Sequence, residues 1–379
     1  MKEIILFSKK QQLLIQYLKI TNHRNYLIKP NNQLSPIGWH LIHCLYIECL
    51  WLRKYYLEDN SLSNKLENIA DSKLVLPKNR GLNLPNYEQI INLCKKEFKN
   101  NLIIINKIIE KKIKKKISIE YLISFFINHH SQHLETIKII LNLIHLKNFS
   151  EKNIIFKSIE PKVYKFKSFE INEGFYYIGA NNLNFSYDNE LPRNKKFIKS
   201  FNIAKKPIRI DEWYAFIKED GYKRKELWSE AGWIWRLKNN VTYPLNWRLK
   251  NNKLSLSTPF GFRNPDNKQT VTNISLYELE AFAKYNNLKI PHELQWEAAS
   301  NKLKNKYKVW EWCKNNFFPY SGFRWYPYRE YSTPWFNNNY FTLRGSSLYS
   351  EDQIRRTSFR NFYQAGDRFI FSGGRLSYY

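Results

Sequence analysis

The sequence has few cysteines and glycines and no long apolar run, and each shortage excludes a class of protein. Its four cysteines include no C-x-x-C pair, which argues against a disulfide framework and a structural zinc ribbon. Twelve glycines and 14 prolines in 379 residues exclude collagen-like and low-complexity architectures. No stretch approaches the ~20 apolar residues that span a bilayer, and the N-terminal apolar run is too short for a signal peptide. We therefore expect a cytoplasmic protein without a membrane segment.

Aromatic and basic residues, by contrast, are plentiful. Aromatic residues make up 17% of the chain and hydrophobic residues 43%, which is enough to build the cores of two domains. The net charge of +28 first suggests a nucleic acid or an anionic membrane as a partner. However, Asn, Lys and Ile are abundant along the whole chain, as a compositional bias would produce. We interpret the densest basic run, 111–116, as the exposed end of a helix and the turn after it, so nucleic-acid binding is not expected.

The two halves of the chain differ in hydrophobic periodicity. Residues up to about 150 show the helical period, with a polar connection at 60–85 between the second and third of four helices. Residues 166–178 alternate as strands do, and helices are predicted beyond them only at 209–219 and 275–285. The predicted fold class is α + (α+β), a four-helix bundle followed by a loop-rich mixed domain.

Histidine is scarce, yet five of the eight histidines fall in two short clusters, at 40–43 and 129–133. His129 and His133 are four residues apart, so both imidazoles lie on one face of a helix. A third histidine from a neighbouring helix would complete a facial metal site with open positions. Spacing alone leaves two alternatives open: hydrogen-bonded structural histidines, or a site in which Glu48 supplies a carboxylate. His130 points roughly 100° away from the pair and is expected to be structural.

A series of motifs in the second half resembles the sulfatase-modifying-factor domain, which has a C-type-lectin-like fold. The segments that carry the resemblance are 185–192, 216–222, 227–229, 232–233, 290–297, 309–312, 343–347 and 360–362. Together with the helical half, the chain resembles the ergothioneine-biosynthesis sulfoxide synthases, which join a DinB-like four-helix bundle to that domain. The resemblance implies a DinB-like bundle at 1–150 and a sulfatase-modifying-factor domain at 165–379.

The same resemblance implies the site residues and the chemistry. His43, His129 and His133 would bind Fe(II), and Gln132 would contact the imidazole of the substrate. The expected reaction uses O2 to join a thiol to a histidine derivative such as hercynine, with oxidation to a sulfoxide. Tyr328 is expected to donate a proton, and Tyr331 is a neighbouring candidate. The partners are thus small molecules, and neither nucleic acid nor membrane is expected.

Two features bear on the sulfur donor. The segment Asn361-Phe362-Tyr363 stands where the members that use γ-glutamylcysteine have Asn-Trp-Asp, so we expect cysteine as the donor. Arg80 is a candidate for binding the donor's carboxylate. Ovothiol-type and selenium-using relatives share most of the motifs, and an inactive lectin-like binding module is the alternative from another class. Formylglycine-generating activity is disfavoured because no cysteine follows Cys313.

Overall fold

The computed structural model describes residues 2–147, 159–181, 186–250, 253–327 and 329–379, and it combines helices with sheets. The chain divides into two compact units. The helical unit comprises Met1–Asn148 and Ser350–Ile354, and the mixed unit comprises Phe149–Tyr349 and Arg355–Tyr379. One short segment from late in the chain is therefore part of the helical unit.

Among the described residues, the helical unit has five α-helices. They are α1 Lys2–Asn25, α2 Ile37–Glu48, α3 Ser61–Ala70, α4 Tyr87–Glu110 and α5 Ile119–Lys147. Helix α2 continues directly into a π-helical segment, Cys49–Tyr56. Helices α1, α2, α4 and α5 pack against one another in all pairings, and α3 packs against α2.

Helices α2 and α5 lie in the interior of the helical unit, because apolar residues occupy nearly all of their faces. Every residue of α2 is buried, and α5 buries most of its length. Helix α4 is amphipathic instead, and it begins with a capping box in which Asn86 accepts a hydrogen bond from the backbone N–H of Gln89. Polar groups on α2 and α5 are therefore enclosed by the unit and must find partners inside it.

The polar connection at 60–85 contains a helix that the sequence analysis did not predict. Helix α3 buries Ser63, Leu66 and Ala70, which recur at helical spacing. Helix α3 has only ten residues and few large apolar side chains, so the polar residues around it obscure its helical hydrophobic period. The basic run at 111–116, in contrast, follows the end of α4 at Glu110 and lies largely exposed in the turn, as expected.

The mixed unit is built from short elements. Its described α-helices are α6 Ile210–Lys218, α7 Glu230–Lys238, α8 Leu276–Tyr285 and α9 Glu293–Ala299. Its described strands are β1 Ser168–Ile171, β2 Gly174–Ile178, β3 Asn194–Ile198, β4 Phe201–Ala204, β5 Trp247–Lys250, β6 Lys253–Thr258, β7 Gly261–Arg263, β8 Trp310–Asn316, β9 Tyr340–Gly345, β10 Asn361–Gln364, β11 Ser372–Gly373 and β12 Ser377–Tyr378. The predicted strands at 166–178 and helices at 209–219 and 275–285 are confirmed, whereas α7 and α9 were missed.

The strands form four small sheets, with strand orders β1-β4-β12, β2-β3, β5-β6-β7 and β10-β9-β8-β11. All pairings are antiparallel except that of β11 with β8. Because antiparallel partners can be joined by short turns, this topology suits the Gly, Asn and Pro residues that separate the short segments of the second half.

Buried ion pairs link the sequence motifs of the mixed unit. Arg360 donates two hydrogen bonds to the carboxylate of Glu293, at 2.9 and 2.7 Å, and Arg344 donates a third at 3.0 Å. Arg375 and Glu311 form a second bidentate pair. Burial alone would raise the pKa of Glu293, but the two arginines lower it to about 2. These charged motif residues therefore form part of the polar interior of the mixed unit.

Candidate metal centre

Helices α2 and α5 bring two histidine pairs together in the helical unit. His40 and His43 lie one turn apart on α2, and His129 and His133 lie one turn apart on α5. The two helices pack directly against each other, so the pairs face one another. The ring of His43 lies 5.2 Å from that of His129 and 5.0 Å from that of His133, measured between centroids.

Three of these imidazoles have the spacing of ligands to one metal ion. Ligand atoms of His43, His129 and His133 all lie within 4.8 Å of one another. Nε2 of His129 and Nε2 of His133 are 3.2 Å apart. Adjacent ligands on an ion with metal–nitrogen bonds of about 2.1 Å are separated by about 3.0 to 3.4 Å. The donor set therefore fits a metal ion that imidazole prefers, such as iron or zinc.

Burial keeps the imidazoles in the form that binds metal. Desolvation lowers the pKa of His43 to about 4, and the pKa values of His129 and His133 lie well below the usual range for histidine. The neighbouring imidazoles lower the pKa values of His129 and His133 further, because each protonated ring would repel the others. At neutral pH these three rings are neutral, and a neutral imidazole offers a lone pair to a metal.

Two of the three imidazoles also have a partner for the ring nitrogen that faces away from the three-histidine group. Nδ1 of His43 donates to the backbone carbonyl of Ala70 at 2.8 Å, and Nδ1 of His133 lies 2.7 Å from Nδ1 of His40. Nδ1 of His129 has no hydrogen-bond partner among the described residues. Such contacts set the orientation of a metal-binding imidazole.

Glu48 does not join the histidine group, so the two-histidine-one-carboxylate alternative is wrong. Its carboxylate accepts hydrogen bonds from Gln11 at 2.9 Å and Asn101 at 2.8 Å, and it lies 2.7 Å from Nε2 of His130. All four groups are buried in the interior of the unit. His130 therefore binds Glu48, and its expected structural role agrees with this contact.

A second set of donors lies beside the first. Cys44, His129 and His130 also bring candidate ligand atoms within 4.8 Å of one another. However, Nε2 of His130 is held by Glu48, and burial raises the pKa of the Cys44 thiol well above its usual value. A buried thiol is a poor ligand until it loses its proton. The set of three neutral imidazoles is the better metal site.

Two further predicted residues belong to the helical unit. Gln132 is half-buried on α5, directly before His133. The guanidinium of Arg80 lies 4.4 Å from the centre of the Trp39 ring, and Trp39 stacks on His43 with centroids 4.6 Å apart. Arg80 also donates to the backbone carbonyls of Ser72 and Val75, so the connection after α3 fixes its position.

The remaining predicted residues belong to the mixed unit, and Tyr328 lies outside the described residues. Tyr331 stacks on Tyr187, with ring centroids 4.3 Å apart. The hydroxyl of Ser332 donates to Asp188 at 2.5 Å, and the backbone N–H of Tyr326 donates to the same carboxylate at 3.3 Å. Asp188 thus holds both sides of the tyrosine-bearing segment. Asp188 belongs to the motif at 185–192, but this role was not predictable from the sequence, because no local spacing connects residues so far apart in the chain.

Asn361, Phe362 and Tyr363 lie on β10, which pairs with β9. The ring of Phe362 stacks on Phe317 with centroids 4.3 Å apart, whereas Tyr363 makes an edge contact with Phe369 at 5.8 Å. Neighbouring residues of a strand face opposite sides, so Phe362 and Tyr363 point into different surroundings. All three side chains are half-buried.

None of the helices in the described part of the chain is long and apolar enough to cross a membrane. Comparison with protein families matches residues 162–309 to the "Sulfatase-modifying factor enzyme 1-like domain". This match begins three residues before the predicted domain boundary at 165 and covers the first part of the mixed unit.

Three curated relatives carry the name hercynine oxygenase. Those from Mycobacterium tuberculosis and Mycolicibacterium thermoresistibile are 29% and 28% identical to 51% of this chain, over 56% and 54% of their own lengths. The one from Mycolicibacterium smegmatis is 26% identical over 99% of this chain and 97% of the relative. Two of the alignments thus span about half of the relative, and the third spans nearly all of both chains. The resemblance inferred from the motifs is confirmed.

Proposed function

We propose that this chain, a relative of the hercynine oxygenases with a sulfatase-modifying-factor domain, is an Fe(II)- and O2-dependent oxidoreductase of the sulfoxide synthase type. It would act in the cytoplasm on small molecules, joining a thiol to the imidazole of a histidine derivative such as hercynine. We assign residues 1–150 to a DinB-like bundle that holds the metal and 165–379 to a C-type-lectin-like domain. The observation that carries the proposal is the group of three neutral imidazoles, those of the buried His43 and His129 and of the half-buried His133.

The overall reaction balances without another reductant. The imidazole loses a hydrogen from carbon, the thiol loses its hydrogen, and a carbon–sulfur bond forms between them. The sulfur then gains one oxygen atom, and the second oxygen atom leaves as water, so one O2 accepts four electrons. Bound Fe(II) would supply the redox chemistry that no amino-acid side chain in the site can provide.

The residues of the helical unit would bind and orient. His43, His129 and His133 would hold the ion, and a set of three ligands would leave open positions for the substrates. Gln132 precedes His133 on α5 and would hydrogen-bond the imidazole of the acceptor. Arg80, fixed over Trp39 by the connection after α3, would pair with a carboxylate of the sulfur donor. Holding both substrates in one geometry supplies much of the rate enhancement.

The residues of the mixed unit would supply a proton and recognise the donor. Tyr328 would donate the proton, with Tyr331 as the neighbouring candidate, since a neutral phenol is a donor at pH 7. Asn361, Phe362 and Tyr363 would line the donor site. Tyr363 cannot supply the negative charge that an Asp offers to a substrate ammonium group, which favours cysteine over γ-glutamylcysteine.

The test combines metal analysis with oxygen consumption. Protein loaded with Fe(II) should contain one iron per chain and consume O2 only when a thiol and a histidine derivative are both present. Mass spectrometry of the product identifies both substrates, and a panel with histidine and selenium-containing donors separates the ovothiol and selenoneine types of the family. Absence of O2 consumption with every pair would instead support an inactive binding module.

A further inference from the structure

We infer that His40 is a positioning residue that holds His133 in the tautomer able to bind the metal through Nε2. The inference rests on the proposed function, because it assumes a metal ion at the three-histidine group. His40 would act through His133 and would not itself touch the ion or the substrates.

The geometry places His40 behind His133. Nδ1 of His40 lies 2.7 Å from Nδ1 of His133, whereas Nε2 of His133 lies 3.2 Å from Nε2 of His129. The two nitrogens of the His133 ring thus have separate contacts, one toward His40 and one toward the ligand group. His40 is buried on α2, so water does not readily replace it as a partner.

The hydrogen bond between the two rings has one direction that permits metal binding. A neutral imidazole carries its hydrogen on only one nitrogen. If His40 donated to His133, then Nε2 of His133 would carry the hydrogen and could not bind an ion. If His133 donates from Nδ1 to His40, then Nε2 of His133 offers its lone pair. The contact at 2.7 Å therefore supports the ligand only when Nδ1 of His40 accepts.

His40 is better placed as a partner of a ligand than as a fourth ligand. A separation of 2.7 Å is a hydrogen-bond distance and is shorter than the about 3.0 to 3.4 Å expected between adjacent ligands on one ion. The described group of three candidate ligands also does not include His40. Among these ligands, His43 has an equivalent support from a backbone carbonyl, that of Ala70, which no side-chain substitution removes. His40 therefore offers the direct test.

The experiment compares His40→Asn with His40→Gln and His40→Leu in the full-length protein. The amide oxygen of Asn can occupy the position of Nδ1, whereas the longer Gln places its oxygen near the position of Nε2 and Leu offers no acceptor. Co(II) replaces iron as the probe, because its visible absorption reports both affinity and coordination geometry. His145→Leu is the control, since it removes an imidazole from α5 about 18 Å along the helix from His133.

We expect His40→Leu and His40→Gln to bind Co(II) about 10- to 100-fold more weakly than the native protein, and His40→Asn to recover most of this loss. Far-UV circular dichroism of each metal-free variant establishes that the helices are intact. His40→Gln retains a polar group and provides the comparison if His40→Leu does not fold. If His40→Leu and His40→Gln both bound Co(II) with an affinity within twofold of the native value, the inference would be overturned.

Two further outcomes are distinguishable from that one. A weaker affinity of His40→Asn together with a changed Co(II) spectrum would make His40 a ligand and would also overturn the inference. Failure of the native protein to bind one equivalent of Co(II) or Fe(II) would contradict the proposed function itself, independently of His40.

Discussion

Nδ1 of His43 donates a hydrogen bond of 2.8 Å to the backbone carbonyl of Ala70, the last residue of α3. The partner is a backbone oxygen at the end of a helix, where carbonyl groups lack partners within the helix. The contact leaves Nε2 of His43 available to face His129 and His133. A short helix inside a polar connection thus supports one of the three candidate ligands.

The histidine group should account for metal binding. His133→Ala removes one of three ligands, and we expect loss of stoichiometric iron with little change in helical content. Plasma emission spectrometry of protein reconstituted with Fe(II) measures the iron, and His145→Ala serves as the matched control on α5. Retention of one iron per chain by His133→Ala would show that the assignment of the ligands is wrong.

The segment Ser350–Ile354 should contribute strongly to the stability of the helical unit. Glu351 accepts hydrogen bonds of 2.7 Å from both Lys10 and Lys138, whose side chains are only 4% and 9% exposed. Glu351→Gln would leave two nearly buried ammonium groups without their counter-charge, and we expect it to lower the free energy of unfolding by about 2 to 4 kcal/mol. Urea denaturation followed by far-UV circular dichroism measures the change.

The control for Glu351 is an exposed ion pair of the same unit. Glu58 is 82% exposed and accepts from Lys115 at 3.0 Å. Glu58→Gln should change the free energy of unfolding by less than about 1 kcal/mol. Equal effects of the two substitutions would contradict the importance assigned to Glu351.

Acid should destabilise the mixed unit through Glu293. Its pKa is about 2 in the folded chain, compared with an ordinary value of 4.5. The carboxylate therefore stabilises the folded state above about pH 4.5, and this contribution of about 3 kcal/mol is lost as the pH falls toward 2. Glu293→Gln should be less stable at neutral pH, and the difference from the native protein should shrink as the pH is lowered. Urea denaturation at several pH values measures this; a constant difference would contradict it.

Tyr328 should influence which product forms. Under the proposed function, Tyr328→Phe removes the proton donor while keeping the ring, so we expect carbon–sulfur coupling to fall and direct oxidation of the thiol to rise. The ratio of the two products is measured by mass spectrometry, with Tyr331→Phe as the parallel variant. An unchanged ratio in Tyr328→Phe together with a changed one in Tyr331→Phe would move the role to Tyr331.

The residue at position 363 should control the choice of sulfur donor. In competition between equal concentrations of cysteine and γ-glutamylcysteine, the native protein should incorporate mainly cysteine. Tyr363→Asp introduces the negative charge that the members using γ-glutamylcysteine have at this position. It should shift the product toward the γ-glutamyl form by about tenfold or more, as expected for a partly buried charge pair. Tyr363→Asn provides the uncharged control. A predominantly γ-glutamyl product from the native protein would defeat this prediction.

Local sequence patterns were sufficient to predict several structural features of this protein. The spacing of His129 and His133 placed them on one face of α5, because the helical period alone decides which side chains share a face. The long periodic segments also predicted the long helices. Helices α7 and α9, with nine and seven residues, were missed because so short a segment carries too few periods.

The tertiary structure alone decided which distant groups meet. The sequence left Glu48 open as a lesser alternative ligand, but its contacts with Gln11, Asn101 and His130 direct its carboxylate away from the histidine group. Asp188 and Ser332 are 144 residues apart and meet in one hydrogen bond. Composition and periodicity describe one element at a time, so they cannot state which faces of two elements come into contact.

The sequence by itself determined the residue types of the candidate centre and the helices that carry them. It did not determine that His43 would turn its Nδ1 to Ala70, or that His40 would meet His133. Those contacts depend on how α2 packs against α3 and α5, and packing is set by the complementary shapes of side chains far apart in the chain. The orientation of an imidazole ring in this site is therefore a property of the folded unit.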